Sequence, residues 1–534
     1  MRFETLEIEP QKNPAVLDTA TWEPASAWRS LSAVDESYFA SVSQAIREKT
    51  PLPLDKGCAV YTGSCAEHRE KAFCLARFAD GQYVFLEIGA DGEGGPLEDP
   101  SGIRSLSNGA HMAAYRADAS TIDRYVRMIR PDKGPKVLGA VRRLGIGARM
   151  STACWPGVWR AMHRYGFQAN PIQNSVREVN LLDDLLAGRP ARLNYLPNFG
   201  RVEEGHTGST FEGLWVAGVL EALKADCSTE YGADADHITV RRGPDELAHA
   251  KRVIETARLY TFFTLDISDL LDYDAPKGSA ARKYHPALDV VGQLADHITA
   301  IKNGIPFDLE LSIDETPSGV DAFGCLTSEA ELTFLFHEFH RRQIPITHVA
   351  PNFGIEKGLD YRGADGLNGL EERVGQLCRC AREFGVMLDC HSGDDLKPET
   401  RRAVGRAAKG DIHFKVSPVL QVILAEVLNE FDPGLFRFWW DDTLDYARRE
   451  AEAGSTFAAH CLREYETSGD GTPSPSHAVF HYYGFATVGR RDEEGQFIHR
   501  QRFYDLPENF YTHYQDRVTL YLGEVAADVF DSKS

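Results

Sequence analysis

Eight short runs of apolar or β-branched residues recur through the middle of the chain, and each ends on polar or charged residues. One of them reads FDLELSIDET at residues 307–316. The other seven lie at residues 144–150, 168–178, 228–237, 260–269, 346–354, 386–394 and 411–418. Short strand-like runs with polar ends are typical of a parallel sheet whose chemistry lies at one edge.

Longer segments with apolar residues at i, i+3, i+4 and i+7 separate these runs. Residues 329–342 and 369–384 are examples, and both are predicted to be amphipathic helices. Strands that alternate with helices imply parallel pairing through crossover helices. Eight such units predict an α/β fold, a (β/α)8 TIM-like barrel with its functional groups at the C-terminal ends of the strands. An open doubly wound sheet would give the same alternation and is the alternative.

The chain has 534 residues, of which 43% are hydrophobic, so it can form one barrel and a further domain. We predict an N-terminal α+β accessory domain at residues 1–135, the barrel at 136–430, and a C-terminal helical extension that packs on the barrel at 431–534. The sequence RPDKGPK at residues 130–136 is the predicted linker, because its two prolines and its glycine interrupt regular structure.

The two outer parts contain few elements that the sequence defines. In the first part, strand-like segments at 58–62 and 83–88 are separated by a helix-like stretch. After the barrel, helices are predicted near 419–430, near 441–452 and from about 509 to 530. Residues 467–476 are predicted to be a loop, and residues 478–483 a strand that carries His481.

Charge disfavours several classes of partner. The chain has 79 acidic and 58 basic residues, a formal net charge of -21, and no basic run of five residues, which disfavours nucleic acid. No apolar stretch approaches the roughly 18 residues that span a bilayer, and the first residues lack the apolar segment of a secretory signal. We therefore expect a cytoplasmic protein with no membrane partner. Homo-oligomer formation is compatible with the sequence.

The ten cysteines are too sparse for a disulfide framework. Several of them, such as Cys74 and Cys390, lie inside apolar runs and are interpreted as reduced core residues. Cys378 and Cys380 are separated by one residue rather than two, and on a helix they would point in different directions. This spacing disfavours a zinc site.

Polar residues at three predicted strand ends form a candidate metal site. His237 ends the third strand, Asp314 ends the fifth, and His391 lies at the end of the seventh. Imidazole nitrogen and carboxylate oxygen bind divalent metals of borderline character, and three protein ligands leave positions open for substrate oxygens. The sequence therefore predicts a divalent metal site, with Zn or Mn as examples. Simple solvation of each polar strand end is the alternative.

Charged residues at other strand ends are candidates for acid/base and binding roles. Glu178 beside Arg177 ends the second strand, where a carboxylate can act as a general base while the cation orients an anionic substrate. A structural ion pair between the two is the alternative. Lys415 in the eighth strand requires an acid or a ligand if it points inward. Lys357, after the sixth strand, and His481 are further candidates for substrate contacts, against simple solvation or packing.

Other chemistries lack their sequence motifs. The chain has no Gly-x-Gly-x-x-Gly after a strand, no Walker phosphate loop and no Gly-x-Ser-x-Gly elbow. This disfavours enzymes that use nicotinamide cofactors or ATP, and serine hydrolases.

Four segments, in this order and spacing, resemble the tagaturonate/fructuronate epimerase family of bacterial hexuronate catabolism. They read YGADADH at 231–237, LSIDET at 311–316, EKGLDYRG at 356–363 and HSG at 391–393. Residues 173–178 and 414–415 fall at matching places, and the resemblance covers about residues 140 to 490. The chain departs from the family at Asp394-Asp395, where Ser-Asp-Lys is usual, and at residues 416–418, where the family tends to have Thr-Ala-Gly.

The resemblance implies a role for each matching residue in a metal-dependent isomerase. It implies Glu178 as the acid/base, with Asp266 as a reserve acid, and His237, Asp314 and His391 as metal ligands. It implies a small-molecule sugar acid as the substrate, contacted by Gln173, Arg177, Lys357, Lys415 and His481.

The family's substrates also imply a type of reaction. Tagaturonate and fructuronate differ at a hydroxyl-bearing carbon β to the ketone, so simple enolisation does not invert it. Retro-aldol cleavage, rotation of the aldehyde and re-addition would invert it, with a divalent metal stabilising the negative charge. Another metal-dependent sugar isomerase, a hydrolase barrel, or a carbohydrate-binding barrel without catalysis are the alternatives.

Overall fold

The computed structural model describes most of the chain in two compact units. The units comprise residues 1–135 with 212–230, and residues 136–211 with 231–534. The described residues are 2–3, 6–7, 29–78, 81, 83–90, 95–149, 152–187, 189, 192–196, 200–203, 205, 209–316, 320–467, 471–490, 492, 498–504 and 506–531.

A closed barrel of eight parallel strands forms the centre of the second unit. The strands pair in chain order, and the eighth pairs with the first. They are β1 Arg143–Gly147, β2 Ala169–Ser175, β3 Tyr231–Thr239, β4 Phe262–Asp266, β5 Asp308–Ile313, β6 His348–Pro351, β7 Met387–Cys390 and β8 His413–Val416. Each of the eight predicted runs overlaps one strand, with β1 beginning one residue before its run and β3 ending two residues after its run, so the predicted (β/α)8 fold is confirmed. Met150, at the end of the first predicted run, lies outside the described residues.

One main helix follows each barrel strand along the chain. The helices are α1 Trp155–Tyr165, α2 Phe211–Lys224, α3 Glu246–Thr256, α4 Ala280–Lys302, α5 Glu329–Arg342, α6 Gly366–Glu383, α7 Pro398–Ala408 and α8 Pro418–Phe431. Helix α5 has the predicted bounds, and its start is fixed by a capping box between Ser328 and Glu331. By its contacts, most of α2 belongs to the first unit.

Short elements connect the strands to these helices. Single 3-10 turns lie at Thr152–Cys154, Val176–Glu178, Ser268–Leu270, Ala322–Gly324 and Gly393–Asp395. Between β2 and α2, strand Val179–Asn180 pairs with Ser209–Thr210, and Leu193–Leu196 pairs with Gly200–Glu203, with a short helix at Leu182–Leu186. The C-terminal strand ends and these turns position the site.

Helices make up the part of the chain that follows α8. They are α9 Pro433–Glu452, α10 Thr456–Thr467, α11 Ala478–Tyr483, α12 Ala486–Gly489, α13 Gln501–Tyr504 and α14 Glu508–Phe530. The long α14 packs against α1, α7 and α8, and Thr519 of α14 donates a hydrogen bond to the carbonyl of Gly157 at 2.9 Å. The predicted strand at 478–483 is wrong, because Val479, Phe480 and Tyr483 are buried together on one helical turn. Residues 468–470 of the predicted loop lie outside the described residues.

The first unit contains an antiparallel sheet covered by a helix. The strands lie in the order Cys58–Val60, Lys71–Phe78, Tyr83–Gly89, His111–Arg116 and Gly102–Ser105, and Ala66–His68 pairs with Lys71–Phe78. Helix Glu36–Glu48 places Phe39 and Val42 in one apolar core with Cys74 and Leu86 of the sheet. A second helix spans Ala119–Met128, a 3-10 turn spans Thr62–Ser64, and Arg2–Phe3 pairs with Leu6–Glu7.

The stretch between residues 62 and 83 was expected to be helical, and this is wrong. It forms strands Ala66–His68 and Lys71–Phe78, and the second of these lies between two neighbouring strands with almost every residue buried. Tertiary pairing on both sides therefore overrides the local preference.

Two further expectations can be compared with the described residues. None of the ten cysteines forms a disulfide, and eight of them, including Cys74 and Cys390, are buried. Within the described part of the chain, no helix is long and apolar enough to cross a bilayer.

Candidate active site at the mouth of the barrel

Two adjoining cavities open at the C-terminal ends of the barrel strands. The first, here called the Glu178 cavity, comprises about 500 Å³ of space that includes open solvent, and is lined by residues that include Arg149, Gln173, Glu178, Asp236, Lys415 and Ser417. The second, the Glu315 cavity, comprises about 570 Å³ of such space and is lined by residues that include Arg177, Asp314, Glu315 and Glu356. Both are lined by His237, Lys357, His391 and Ser392, which therefore mark their junction.

The three predicted metal ligands meet at this junction. One potential ligand atom each from His237, Asp314 and His391 lie within 4.8 Å of one another. We call these residues the outer group. They come from β3, from the residue after β5 and from the residue after β7, so three strand ends converge on one point. The structure thus brings together the residues that the sequence singled out, and metal binding by them stays a prediction.

A β-bulge in β3 gives His237 its position. Ala235 pairs with Phe263 of β4, but the next pair joins Ile238 to Leu265, so β3 has one extra residue. His237 has a φ of 50°, a left-handed conformation that is rare for a side chain other than glycine. Because of this bulge, Asp236 and His237 both face the site although they are neighbours in a strand. Regular alternation would send one of them outward.

The surroundings of the outer group are suited to a cation. His391 Nε2 lies 2.9 Å from Glu310 Oε1. When Nε2 carries the proton and donates it to this carboxylate, Nδ1 retains a lone pair that can bind a metal. That Nδ1 is buried, lies 3.3 Å from Asp314 Oδ1 and makes no hydrogen bond within the described residues. Burial alone would lower the pKa of His391, but Asp314 and Glu310 outweigh it and raise the pKa well above its ordinary value. The same carboxylates would attract a metal ion.

His237 is oriented in a similar way by carboxylates. Its Nδ1 lies 3.0 Å from Asp236 Oδ1, and its Nε2 lies 3.4 Å from Glu315 Oε1. Burial would lower the pKa of His237, but the charge and hydrogen bond of Asp236, with Glu315, raise it to about 9. The two imidazole rings are 4.6 Å apart. The surroundings favour the charged form of both imidazoles although the two rings are close together. The site therefore stabilises positive charge.

Lys415 lies deeper in the barrel among carboxylates. Its ammonium group donates to Asp236 at 2.7 Å, to Thr264 at 3.1 Å and to Glu310 at 3.1 Å. It also lies 3.3 Å from Asp234 and 3.5 Å from Asp389. Burial would lower the pKa of Lys415, but the acids raise it well above its ordinary value. The three donors of this ammonium are thus directed at the protein itself, although Lys415 also lines the Glu178 cavity, and its contact with a substrate anion stays a prediction.

A second group of possible ligands lies beside Lys415. Glu310, Asp389 and His413 also have potential ligand atoms within 4.8 Å of one another, and all three are fully buried. We call them the inner group. Burial, with Asp389 beside it, raises the pKa of Glu310 to about 8, and burial lowers the pKa of His413 to about 4. None of the three lines either cavity. A third set, His237, Asp266 and Glu315, shares a ligand with the outer group.

The pairing of Glu178 and Arg177 differs from the prediction. Glu178 Oε1 lies 3.0 Å from Arg149 Nη1 in the Glu178 cavity. Arg177 Nη2 lies 2.8 Å from Glu315 Oε1 and 3.6 Å from Asp266 Oδ2, so it belongs to the other cavity. The residues separate because 176–178 form a 3-10 turn, in which successive side chains point in different directions.

The other predicted contacts occupy three places. Gln173 lines the Glu178 cavity, and its buried Oε1 has no hydrogen-bond partner within the described residues. Lys357 Nζ lies 3.4 Å from Glu315 Oε1, with 37% of its side chain exposed. Asp266 is buried and accepts hydrogen bonds from Ser268 N and Thr239 Oγ1.

His481 lies apart from both cavities. It is on helix α11 instead of a strand, its Nε2 is 3.4 Å from Asp395 Oδ1, and it is not among the residues that line the two openings.

Several site residues were not assigned roles from the sequence. Arg149 lies within the first predicted run, so the rule that polar strand ends form the site could have identified it. Glu315 follows Asp314, and Asp236 precedes His237, but strand alternation suggests that only one of each pair faces inward. Glu310 and Asp389 lie inside their strands, below the rim of the barrel. No spacing in the sequence indicates that these two residues are close to each other.

Known proteins share this architecture. The native crystal structure of fructuronate-tagaturonate epimerase UxaE from Cohnella laeviribosi has a TM-score of 0.60 and 17% identity, and the match covers 89% of this chain and 96% of that chain. The form with one glycerol has a TM-score of 0.64 and 17% identity, and the match covers 89% of this chain and 96% of that chain. The form with two glycerols has a TM-score of 0.60 and 17% identity, and the match covers 91% of this chain and 99% of that chain. At this identity the likeness establishes the fold. No curated protein sequence matches the chain significantly.

The sequence also matches a family. Residues 278–459 match the UxaE family, described as tagaturonate epimerase. This segment runs from α4 to α10 and contains three of the four motifs that carried the resemblance, with Asp314, His391 and Lys415. The segment at residues 278–459 is therefore similar to the tagaturonate epimerase family, and the fold of the chain is similar to that of the solved epimerase structures.

Proposed function

We propose that this chain is a metal-dependent epimerase that inverts a hydroxyl-bearing carbon of a keto-hexuronate of the tagaturonate/fructuronate type. The observation that carries the proposal is the outer group at the junction of the two cavities. A substrate that reaches from one cavity into the other passes directly over His237, Asp314 and His391.

The outer group would hold a divalent ion such as Zn or Mn. Its donors are two imidazole nitrogens and one carboxylate oxygen, a set that suits such ions and leaves positions open. The buried Nδ1 of His391, 3.3 Å from Asp314 Oδ1, supports this assignment. When bound, the ion would supply a Lewis acid that stabilises negative charge on the ketone oxygen.

Glu178 is the proposed acid/base for the hydroxyl at the inverted carbon. The carboxylate removes the hydroxyl proton while the bond between the carbons α and β to the ketone breaks, which gives an aldehyde and an enolate. After the aldehyde turns over, the enolate carbon attacks its other face and Glu178 returns the proton. Arg149, 3.0 Å away, orients this carboxylate.

Cations in both cavities are available for the carboxylate of the sugar acid. Arg149 lines the Glu178 cavity, and Lys357 lines both cavities. Arg177 is held by Glu315 and Asp266, and Lys415 by its own acids, so these two cations contribute to the shape and charge of the site. Gln173, whose buried Oε1 faces no donor within the described residues, would accept a hydrogen bond from a substrate hydroxyl.

The test is epimerisation of tagaturonate and fructuronate by the purified protein, with and without added Mn²⁺ or Zn²⁺. We expect interconversion of the two sugar acids that depends on the metal. Run in D2O, the retro-aldol route keeps the original hydrogen on the inverted carbon, because that hydrogen stays on the aldehyde. Deuterium at this carbon would disprove bond cleavage, and formation of an aldose or an irreversible product would disprove epimerisation.

A further inference from the structure

Asp395 connects three segments of the chain beside the active site. It lies at the end of the turn after β7, and its side chain is 1% exposed. Its Oδ2 accepts a hydrogen bond from the backbone N–H of Gly358 at 2.8 Å. Its Oδ1 accepts one from the hydroxyl of Tyr482 at 3.0 Å, and lies 3.4 Å from Nε2 of His481. One carboxylate thus joins the loop after β6 to helix α11.

Gly358, the residue held by Asp395, is closely packed as well. Its φ is 86°, and a Cβ on it would lie 3.0 Å from Cζ of Phe457 and 3.2 Å from Cζ of Tyr482. The backbone of this loop therefore lies against two aromatic rings that are themselves in contact, with centroids 5.3 Å apart. Helices α10 and α11 supply these rings.

The residue before Gly358 is Lys357, the only lysine that lines both cavities as described. A lysine side chain is long and flexible, and this one is 37% exposed, so its contact with Glu315 at 3.4 Å restrains the ammonium group only in part. Its position therefore also depends on where its backbone is fixed. On one side Leu359 N–H donates to the carbonyl of Glu356 at 3.3 Å within the loop, and on the other the hydrogen bond between Gly358 and Asp395 ties the loop to the turn after β7.

We propose that Asp395 is a positioning residue that holds Lys357 at the junction of the two cavities, supported by Tyr482 and His481. The segment after the barrel thereby acts on the active site without contributing a residue to either cavity. The part that assigns Lys357 to the substrate carboxylate rests on the proposed function, whereas the fixing of the loop does not.

Hydrogen exchange tests the fixing of the loop without any substrate. Asp395→Asn and Tyr482→Phe should each accelerate exchange of amides within residues 353–363 by about 10-fold or more. Tyr465→Phe is the matched control, because its hydroxyl also donates a hydrogen bond, here to the carbonyl of Gly471, in the same C-terminal part of the chain. This control should leave exchange at 353–363 unchanged. Exchange at the wild-type rate in both test variants would overturn the proposal.

A double-mutant cycle tests whether Asp395 acts through Lys357. Asp395→Asn should raise KM for the hexuronate by about 10-fold and change kcat much less, since a binding cation is displaced. In a Lys357→Met background the same substitution should raise KM less than 2-fold, because the group that it positions is already absent. An equal rise in both backgrounds would refute the positioning role.

The two tests separate this inference from the proposed function. If the wild-type protein converts neither hexuronate, the proposed function fails, and the exchange data alone decide whether Asp395 fixes the loop. If Asp395→Asn does not fold, Tyr482→Phe is used in both tests, because it removes one hydrogen bond and retains the ring.

Discussion

The outer and inner groups of the barrel contain the same kinds of side chain and differ in what surrounds them. Each offers imidazole and carboxylate atoms within 4.8 Å of one another. The outer group lies where two cavities join, whereas the inner group is fully buried. The inner group also has the ammonium of Lys415 within 3.1 Å of Glu310.

The two groups therefore differ in their exposure to the cavities and in the charges around them, and not in residue type. We expect these two properties to decide which group binds a metal ion and which forms part of the polar core. A divalent ion in the inner group would have to share its acids with an ammonium group, which is a costly arrangement in a buried place. The inner group instead supports the outer one, because Glu310 contacts both Lys415 and His391. The predictions below test this division.

The largest effect is expected from loss of an outer-group ligand. His391→Ala should remove the bound metal and lower kcat/KM by about 1000-fold or more, as expected when a Lewis acid is lost. His413→Gln, the matched change in the inner group, should leave the metal content unchanged. Elemental analysis of both proteins after dialysis checks this. Equal loss of metal from the two variants would show that the division between the groups is wrong.

Glu178→Gln should lower kcat by about 100-fold, because a positioned acid/base contributes that much or more. Metal content and thermal stability should be unchanged, since Glu178 is not in the outer group. Steady-state kinetics with metal analysis makes the measurement. Full activity in this variant would reassign Glu178 to a structural partner of Arg149.

Arg149→Met should raise KM for the sugar acid by about 10-fold, which corresponds to the loss of one charge-assisted hydrogen bond. Arg160→Met is a suitable control, because Arg160 forms an exposed ion pair with Asp516 on the outer helices. Kinetics on both variants decides the matter. The same KM in both would place the substrate carboxylate elsewhere, with Lys357 as the remaining cation.

The last prediction concerns the stability of the inner group in acid. Burial lowers the pKa of His413 from 6.5 to about 4, so the unfolded chain binds a proton that the folded chain resists. This contribution is present above pH 6.5 and is lost as the pH falls towards 4, which is about 2 kcal/mol between pH 7 and pH 5. Urea unfolding of the metal-free protein should show it. In His413→Gln the loss over this range should be smaller, and an identical loss would contradict the assignment.

The fold and the outer group could be predicted from the sequence for one reason. Parallel barrels place the C-terminal ends of their strands at one rim, so His237, Asp314 and His391 had to lie close together once eight strands were recognised. Helix α5 was predicted with its bounds because its capping residues are local.

The remaining features depend on contacts between distant residues. Arg177 and Glu178 do not pair with each other, because they lie on a 3-10 turn whose side chains point in different directions. Glu178 pairs with Arg149, and Arg177 pairs with Glu315. Strand Lys71–Phe78 forms because strands pair with it on both sides, and the local sequence does not contain this information. Lys415 was recognised as inward-facing, but only the fold reveals the acids around it.

The bulge in β3 has a consequence for how such chains are aligned and engineered. The one extra residue between Ala235 and Ile238 shifts the pattern of inward and outward side chains for the rest of the strand. Deleting a single residue here would restore regular pairing and reverse the facing of one member of the pair Asp236 and His237. An alignment that closes this gap would therefore exchange the proposed ligand His237 for its carboxylate partner, and a graft of the site onto another barrel must transfer the bulge with the side chains.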